Sequence, residues 1–324
     1  MLGFNNEGKR MIIFSISFFL LIFISGVIQA GLNSYYISSK FKLIFEGSIN
    51  IMGTIIGIGG AIFICKASPL KITIPLTQFI KIKLLKTKEI YTILLLVILI
   101  YPVVGFIGNI GHYFFENTVN QGINKTAQEF PFFMVIFWGA ICGPIAEELI
   151  FRGFLLNSLH FFRIHSFASI TVTVMSFSIF HFNSYQALYT IPVSIVLTLI
   201  TFYTQNLMAG ILAHISYNFL TFFLPKYFSN LNLSVWYLAI PCIILCIFVL
   251  YRMRRNYSEH TYTSFQSKDV RLSTLFLIIY TSLIVLIIKE ISLFLFTALP
   301  VIILFFYQIF ISKFQYKKKQ NIHV

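Results

Sequence analysis

The sequence predicts an all-α, polytopic transmembrane bundle of about ten spans. Three observations carry that prediction. Of the 324 residues 58% are hydrophobic and only 10% charged, and the mean hydropathy is +0.85. Ordinary soluble domains carry about 25% charged residues, so this chain lacks the polar surface to cover a water-facing fold. The same composition excludes a disordered chain. The apolar residues also fall in runs of about 20, the length that crosses the hydrocarbon core as a helix.

In chain order the spans are expected near 11–31, 44–64, 90–111, 132–158, 166–183, 187–204, 207–224, 233–251, 272–288 and 291–311. The first follows Lys9 and Arg10 but is long for a signal peptide. No small-residue cleavage site follows it, so it reads as a retained helix. The runs 187–204 and 207–224 are parted by Gln205 and Asn206 alone. Segment 65–88 is basic with apolar residues interleaved and is expected to lie on the membrane surface. Segment 112–131 reads as an outer loop, and 252–271 separates the last two helices from the rest. The organisation expected is N-terminal helices with a basic loop over 1–130, a core over 131–225, and C-terminal helices with a basic tail over 226–324.

The formal net charge is +14. In a soluble protein that excess would suggest nucleic acid; here it sorts by topology. With the N-terminus inside, the inner segments hold Lys9, Arg10, Lys66, Lys71, Lys81, Lys83, Lys86, Lys88, Arg152, Arg163, Arg252, Arg254, Arg255, Lys268, Arg271, Lys313, Lys317, Lys318 and Lys319. Outside fall only Lys40, Lys42, Lys125, Lys226 and Lys289. This bias predicts cytoplasmic termini in a plasma membrane, with the lipid bilayer and no nucleic acid as partner. Lys317–Lys319 reads as positive-inside anchoring rather than a dedicated anionic-lipid site. The cysteines Cys65, Cys142, Cys242 and Cys246 sit in or beside apolar runs and form no CxxC, so they read as packed thiols.

Few ionisable residues fall inside the spans, and they gather in one part of the chain. Glu147, Glu148 and Arg152 lie on the fourth helix, His181 on the fifth, and His214 with the amide Asn218 on the seventh. A charge at membrane depth costs about 2.5–3.5 kcal/mol on insertion scales, so such residues are functional candidates by default. Glu148 and Arg152 are spaced i, i+4 and can pair along one face. Glu147 is turned about 100° away, free to point elsewhere. Gly143 and Pro144 just before it are expected to kink or restart the helix and widen a polar cavity. His214 and Asn218 share the i, i+4 spacing, as do Phe177 and His181. Phe177 by itself is one of 38 phenylalanines and carries no signal. His112, His160, His165, His260 and His323 fall near span ends or in loops and read as interfacial.

A carboxylate, two imidazoles and an amide converging in a low-dielectric cavity are what water activation requires. The carboxylate takes a proton from water; an imidazole orients that water, holds a metal or donates to an oxyanion; the amide donates to the same oxyanion. The bland reading is that each residue is a satisfied packing group, and Arg152 a snorkelling one. The joint pattern at helical spacings favours the chemical reading.

These residues resemble the CPBP intramembrane proteases, which include type II CAAX prenyl endopeptidases and bacterial Abi-like, bacteriocin-processing and immunity proteins. Glu147–Gly153 is similar to the EExxxR motif, Phe177–His181 to FxxxH, and His214–Asn218 to HxxxN, in the expected order. The resemblance covers roughly 131–225. It implies a buried site for hydrolysing a peptide bond of a membrane-associated peptide or protein. Glu147 would be the general base, assisted by His181; His214 and Asn218 would stabilise the oxyanion; Glu148 and Arg152 would support the geometry. The motifs do not decide whether a metal is used, and the glutamate-dependent mechanism is the preferred reading. A zinc site from Glu147, His181 and His214 stays open as the alternative, although EExxxR with separated histidines differs from HExxH on one helical face. A non-catalytic immunity or scaffold role and a proton-coupled transporter are the competing functions, the latter without a repeat to support it. The Phe-, Ile-, Lys- and Asn-rich usage points to a low-GC bacterium and so to peptide processing rather than prenylated substrates.

Depth sets one constraint. A fourth helix running over 132–152 would put Glu147 near the inner face and His181, late on the fifth, near the outer one, more than about 10 Å apart at 1.5 Å per residue. A helix over 136–160 would centre Glu147 and remove most of the conflict.

Overall fold

The computed structural model describes residues 80–115, 130–161, 166–181, 183–227 and 235–257, with Leu233 and single positions between 55 and 66. The regular structure of the described residues is helical: α1 Thr87–Gly111, α2 Phe132–His160, α3 Ser166–Ile179, α4 Ser184–Thr204, α5 Leu207–Tyr227 and α6 Trp236–Tyr257. All but α3 are long and apolar enough to cross a membrane. The expected spans at 11–31, 272–288 and 291–311 lie outside the described residues, and 44–64 is described only at isolated positions. Cys65, His165, His260, His323 and the tail lysines Lys317–Lys319 also lie outside them.

The core forms where α1 lies against α4, α5 and α6. Ile93, Leu96, Val97 and Ile100 of α1 meet Val193, Val196, Leu197 and Ile200 of α4. Lipid tails are as apolar as leucine, so burial alone does not hold such a bundle; close packing and interhelical hydrogen bonds do. Cys242 and Cys246 are buried thiols, the role their spacing suggests. The outer face of α6, with Ile240, Ile244, Ile247 and Phe248, is exposed and apolar, as a lipid-facing surface should be.

Two tight turns place the site. The first corrects the expected fifth span. Helix α3 stops at Ile179 and does not reach 183, because Asn183 is extended and caps the next helix, its Oδ1 accepting the Gln186 N–H at 2.8 Å. His181 therefore sits in the reversal between α3 and α4, not on a spanning helix. The shorter helix also settles the depth conflict. Counted from the adjoining ends of α2 and α3, His181 is about 22 Å along from Ser166 and Glu147 about 20 Å along from His160, at 1.5 Å per residue. Helix α2 runs through to His160, which puts Glu147 near its middle.

The second turn joins α4 to α5 through Gln205, in the left-handed conformation at φ 49°, and Asn206. Residues 80–86 have no regular secondary structure and dock on this turn. Asn206 accepts the Lys83 N–H and donates to the Lys83 carbonyl, both at 3.0 Å, while the Leu207 N–H donates to the Lys81 carbonyl at 2.8 Å. Lys81 Nζ donates to Gln205 Oε1 at 2.7 Å. Burial first, then the neighbouring Lys83, hold the Lys81 amine below its ordinary range. Two histidines read as interfacial have structural partners. His112 Nε2 lies 3.1 Å from the Tyr185 hydroxyl, and the His160 ring packs at 5.0 Å on Phe202.

Candidate active site

Helix α2 is irregular where the chemistry lies. Ile136–Cys142 and Leu149–Leu156 are π-helical, and the α-helical stretch Gly143–Glu148 separates them. Such wide turns inside helices are frequent at functional sites. Pro144 supplies the local cause expected from the sequence. In the π register its N–H would serve the Gly139 carbonyl, and proline has none. Asn218 Nδ2 of α5 donates to that carbonyl at 3.1 Å instead. Past the second wide turn, Asn157 Nδ2 donates to the Arg152 and Gly153 carbonyls, each at 3.0 Å.

The adjacent glutamates have opposite environments. Glu148 is sealed at 0% exposure, whereas the Glu147 side chain is 28% exposed. Arg152, also at 0%, donates from Nη1 to Glu148 Oε1 at 2.7 Å, the ion pair that the i, i+4 spacing predicts. His214 Nδ1 meets the same oxygen at 2.9 Å, and its Nε2 lies 3.7 Å from Glu147 Oε2. An ionised carboxylate only accepts, so the His214 Nδ1 carries the hydrogen. Neutral His214 thus presents a lone pair at Nε2, on the Glu147 side.

His181 is fixed in the same way. Its Nδ1 donates to the Phe177 carbonyl at 2.9 Å, which leaves Nε2 as the acceptor. His181 is within electrostatic reach of both Glu147 and His214. The structure therefore brings together Glu147, Glu148, Arg152, His181 and His214, whereas Asn218, one turn beyond His214 on α5, bonds the Gly139 carbonyl of α2. Phe177, silent in the sequence, is the central wall of this cluster. Its ring lies edge-to-face with His181 at 5.0 Å and His214 at 5.5 Å, and Arg152 stacks over it at 4.5 Å.

Sequence reasoning missed the far side of Arg152. Ser194 and Thr198 of α4 accept from its guanidinium. The hydroxyls Ser194, Thr198 and Thr201 are spaced i, i+4, i+7 on one face of an apolar helix, a stripe that was visible in the chain. Gly210 of α5 is a second omission. A Cβ there would meet Thr201 Oγ1 and lie 2.7 Å from Glu148 Oε2, so only glycine lets α5 approach this pair.

Residues 129–220 match the family model described as Type II CAAX prenyl endopeptidase Rce1-like. This segment is similar to that family. The match agrees with the resemblance to CPBP proteases, and the Rce1-like segment contains all three motifs. No curated protein and no solved structure matches the chain. The zinc alternative finds no ligand set among the described residues, where no group of three His, Cys, Asp or Glu is arranged to hold a metal ion.

Proposed function

We propose that the chain is an intramembrane endopeptidase in which Glu147 activates water for attack on a peptide bond of a membrane-associated peptide or protein. The observation that carries this reading is the pair of adjacent glutamates, one sealed and ion-paired, the other open, bridged by a single imidazole. With His214 neutral, Glu147, Glu148 and Arg152 leave one negative charge unbalanced. A proton taken from water by Glu147 neutralises it, which makes Glu147 the natural acceptor in a low-dielectric site.

The steps follow from the fixed donors and acceptors. The His181 Nε2 lone pair orients the water by accepting one of its hydrogens. Glu147 takes the other as the oxygen attacks the carbonyl carbon. The oxyanion that forms is stabilised by Asn218, whose amide nitrogen has a second hydrogen beyond the one given to Gly139. His214, with its hydrogen on Nδ1, has none at Nε2 to give the oxyanion, and its part in this scheme is to hold the geometry between the two carboxylates. The C–N bond then breaks, and the proton on Glu147 passes to the leaving amine. The products are a new carboxylate terminus and a free amine.

The charge bias of the loops supports a plasma membrane with cytoplasmic termini, and the Phe-, Ile-, Lys- and Asn-rich composition supports bacterial peptide processing as the role. The test is proteomic. Cells carrying Glu147→Gln should accumulate membrane-associated precursors whose processed forms appear with the wild-type chain. Identical peptide inventories in the two strains would overturn the reading.

A further inference from the structure

We infer that Ser194 and Thr198 of α4, which lie outside all three motifs, are positioning residues that act through Arg152 and Glu148 to hold the His214 imidazole. The kinetic part of the inference rests on the endopeptidase reading; the geometric part does not.

The argument begins with the donor count of arginine. A guanidinium has five N–H donors and no acceptor, and at 0% exposure those donors need protein partners. Nη1 serves Glu148 Oε1 at 2.7 Å. Nη2 serves Ser194 Oγ at 2.8 Å and the Ser194 carbonyl at 3.2 Å, and Nε serves Thr198 Oγ1 at 3.3 Å. The group is planar, so anchoring Nε and Nη2 on α4 fixes the direction of Nη1. The Phe177 ring beneath it fixes the plane. Nη1 then fixes Glu148 Oε1, and that one oxygen is also the acceptor of His214 Nδ1. A chain of single contacts thus runs from α4 through α2 to α5.

The two hydroxyls differ from their neighbours on the same helix. In membrane helices Ser and Thr commonly donate back to their own carbonyls. Thr190, Thr201 and Thr204 do so, to Gln186, Leu197 and Ile200. The side-chain bonds of Ser194 and Thr198 run instead across to Arg152. Ser194 and Thr198 are both at 0% exposure, so no solvent replaces them when they are removed. Without these anchors the long arginine side chain follows Glu148 instead of directing it, and His214 loses its fixed tautomer.

The test uses the full chain in lipid nanodiscs, with Ser194→Ala, Thr198→Val and the two combined, the conservative Ser194→Thr and Thr198→Ser, and Thr190→Val as the comparator. The first readout is the ¹⁵N spectrum of histidine-labelled protein, with the His214 signal identified by its loss in His214→Gln. The wild-type signal should be that of an Nδ1–H imidazole, and in the Ala and Val variants it should give way to mixed tautomers. The second readout is cleavage of a quenched-fluorescent farnesylated peptide ending in a CAAX sequence and of an unprenylated apolar peptide. There kcat should fall at least about tenfold, with KM within about twofold, and the conservative variants should recover most of the loss. An unaltered His214 signal in Ser194→Ala and Thr198→Val overturns the inference, whatever the activity. An equal disturbance from Thr190→Val also overturns it, because any loss of packing on α4 would then suffice. Should the combined variant fail to fold, the single variants decide. A moved His214 signal in a chain that cleaves neither peptide supports the positioning chain and counts against the endopeptidase reading.

Discussion

Glu148→Gln separates the two glutamates most informatively, because the structure dictates which way the new amide must face. Arg152 Nη1 and His214 Nδ1 both donate to the one oxygen, Oε1. Arginine has nothing to accept with, so the amide oxygen must take that place and the NH2 must take that of Oε2, beside Thr201 and Gly210. The His214 tautomer is therefore retained, and what is lost is charge. The His214 bond changes from a charged acceptor, worth about 1.5–3 kcal/mol, to a neutral one, worth about 0.5–1.5 kcal/mol, and Arg152 is left buried without its counter-charge. Removing one partner of a buried pair costs about 3–5 kcal/mol. A destabilisation of that size is expected, read by denaturant titration with a thiol-reactive dye that reaches the buried Cys142, Cys242 and Cys246 only on unfolding. The weakened bond is the one that holds His214, so about 1.4 kcal/mol falls on catalysis, a roughly tenfold loss of kcat. Removal of a general base costs about 10²–10⁴-fold, and Glu147→Gln should fall in that range. Equal loss of kcat in the two variants, or a Glu148→Gln protein as stable as wild type, would refute the division of roles.

Three other outcomes are expected. Arg152→Ala leaves Glu148 buried without its guanidinium and should cost about 3–5 kcal/mol of stability in the same titration. Gly210→Ala drives a methyl against Thr201 and Glu148 and should cost about 1–3 kcal/mol, with a fall in kcat that Gly59→Ala, in open space, does not share. Asn218→Ala should lower kcat by about 10²–10³-fold in the peptide-cleavage assay while leaving KM near its wild-type value.

The spans and the motif residues were legible because each depends on a local property. Apolar run length marks α1, α2, α4, α5 and α6, and helical spacing alone pairs Glu148 with Arg152. The end of α3 was not legible by hydropathy, since the apolar run continues past Ile179 through Phe180 and Phe182. The stop comes from Asn183 capping the next helix, a signal that hydropathy does not register. The outward turn of Glu147 followed from the 100° step, but the bridging of both glutamates by His214 required the packing of α5 against α2. The role of Phe177 was hidden for the same reason, because ring contacts with residues of two other helices and a turn leave no periodic trace in α3. Ser194 and Thr198 did leave a trace, a hydroxyl stripe on α4, which reads as ordinary packing until the partner Arg152 is known.

The central claim is that the open carboxylate performs the chemistry and the sealed one holds its geometry. Cleavage of the fluorogenic peptides by purified, lipid-reconstituted Glu147→Gln protein tests it most directly. Among the described residues the polar contact of Glu147 with the cluster is a 3.7 Å approach to His214, so this variant should unfold at the wild-type denaturant midpoint while its turnover falls by about 10²-fold or more. Wild-type turnover from a fully folded Glu147→Gln protein would contradict the claim.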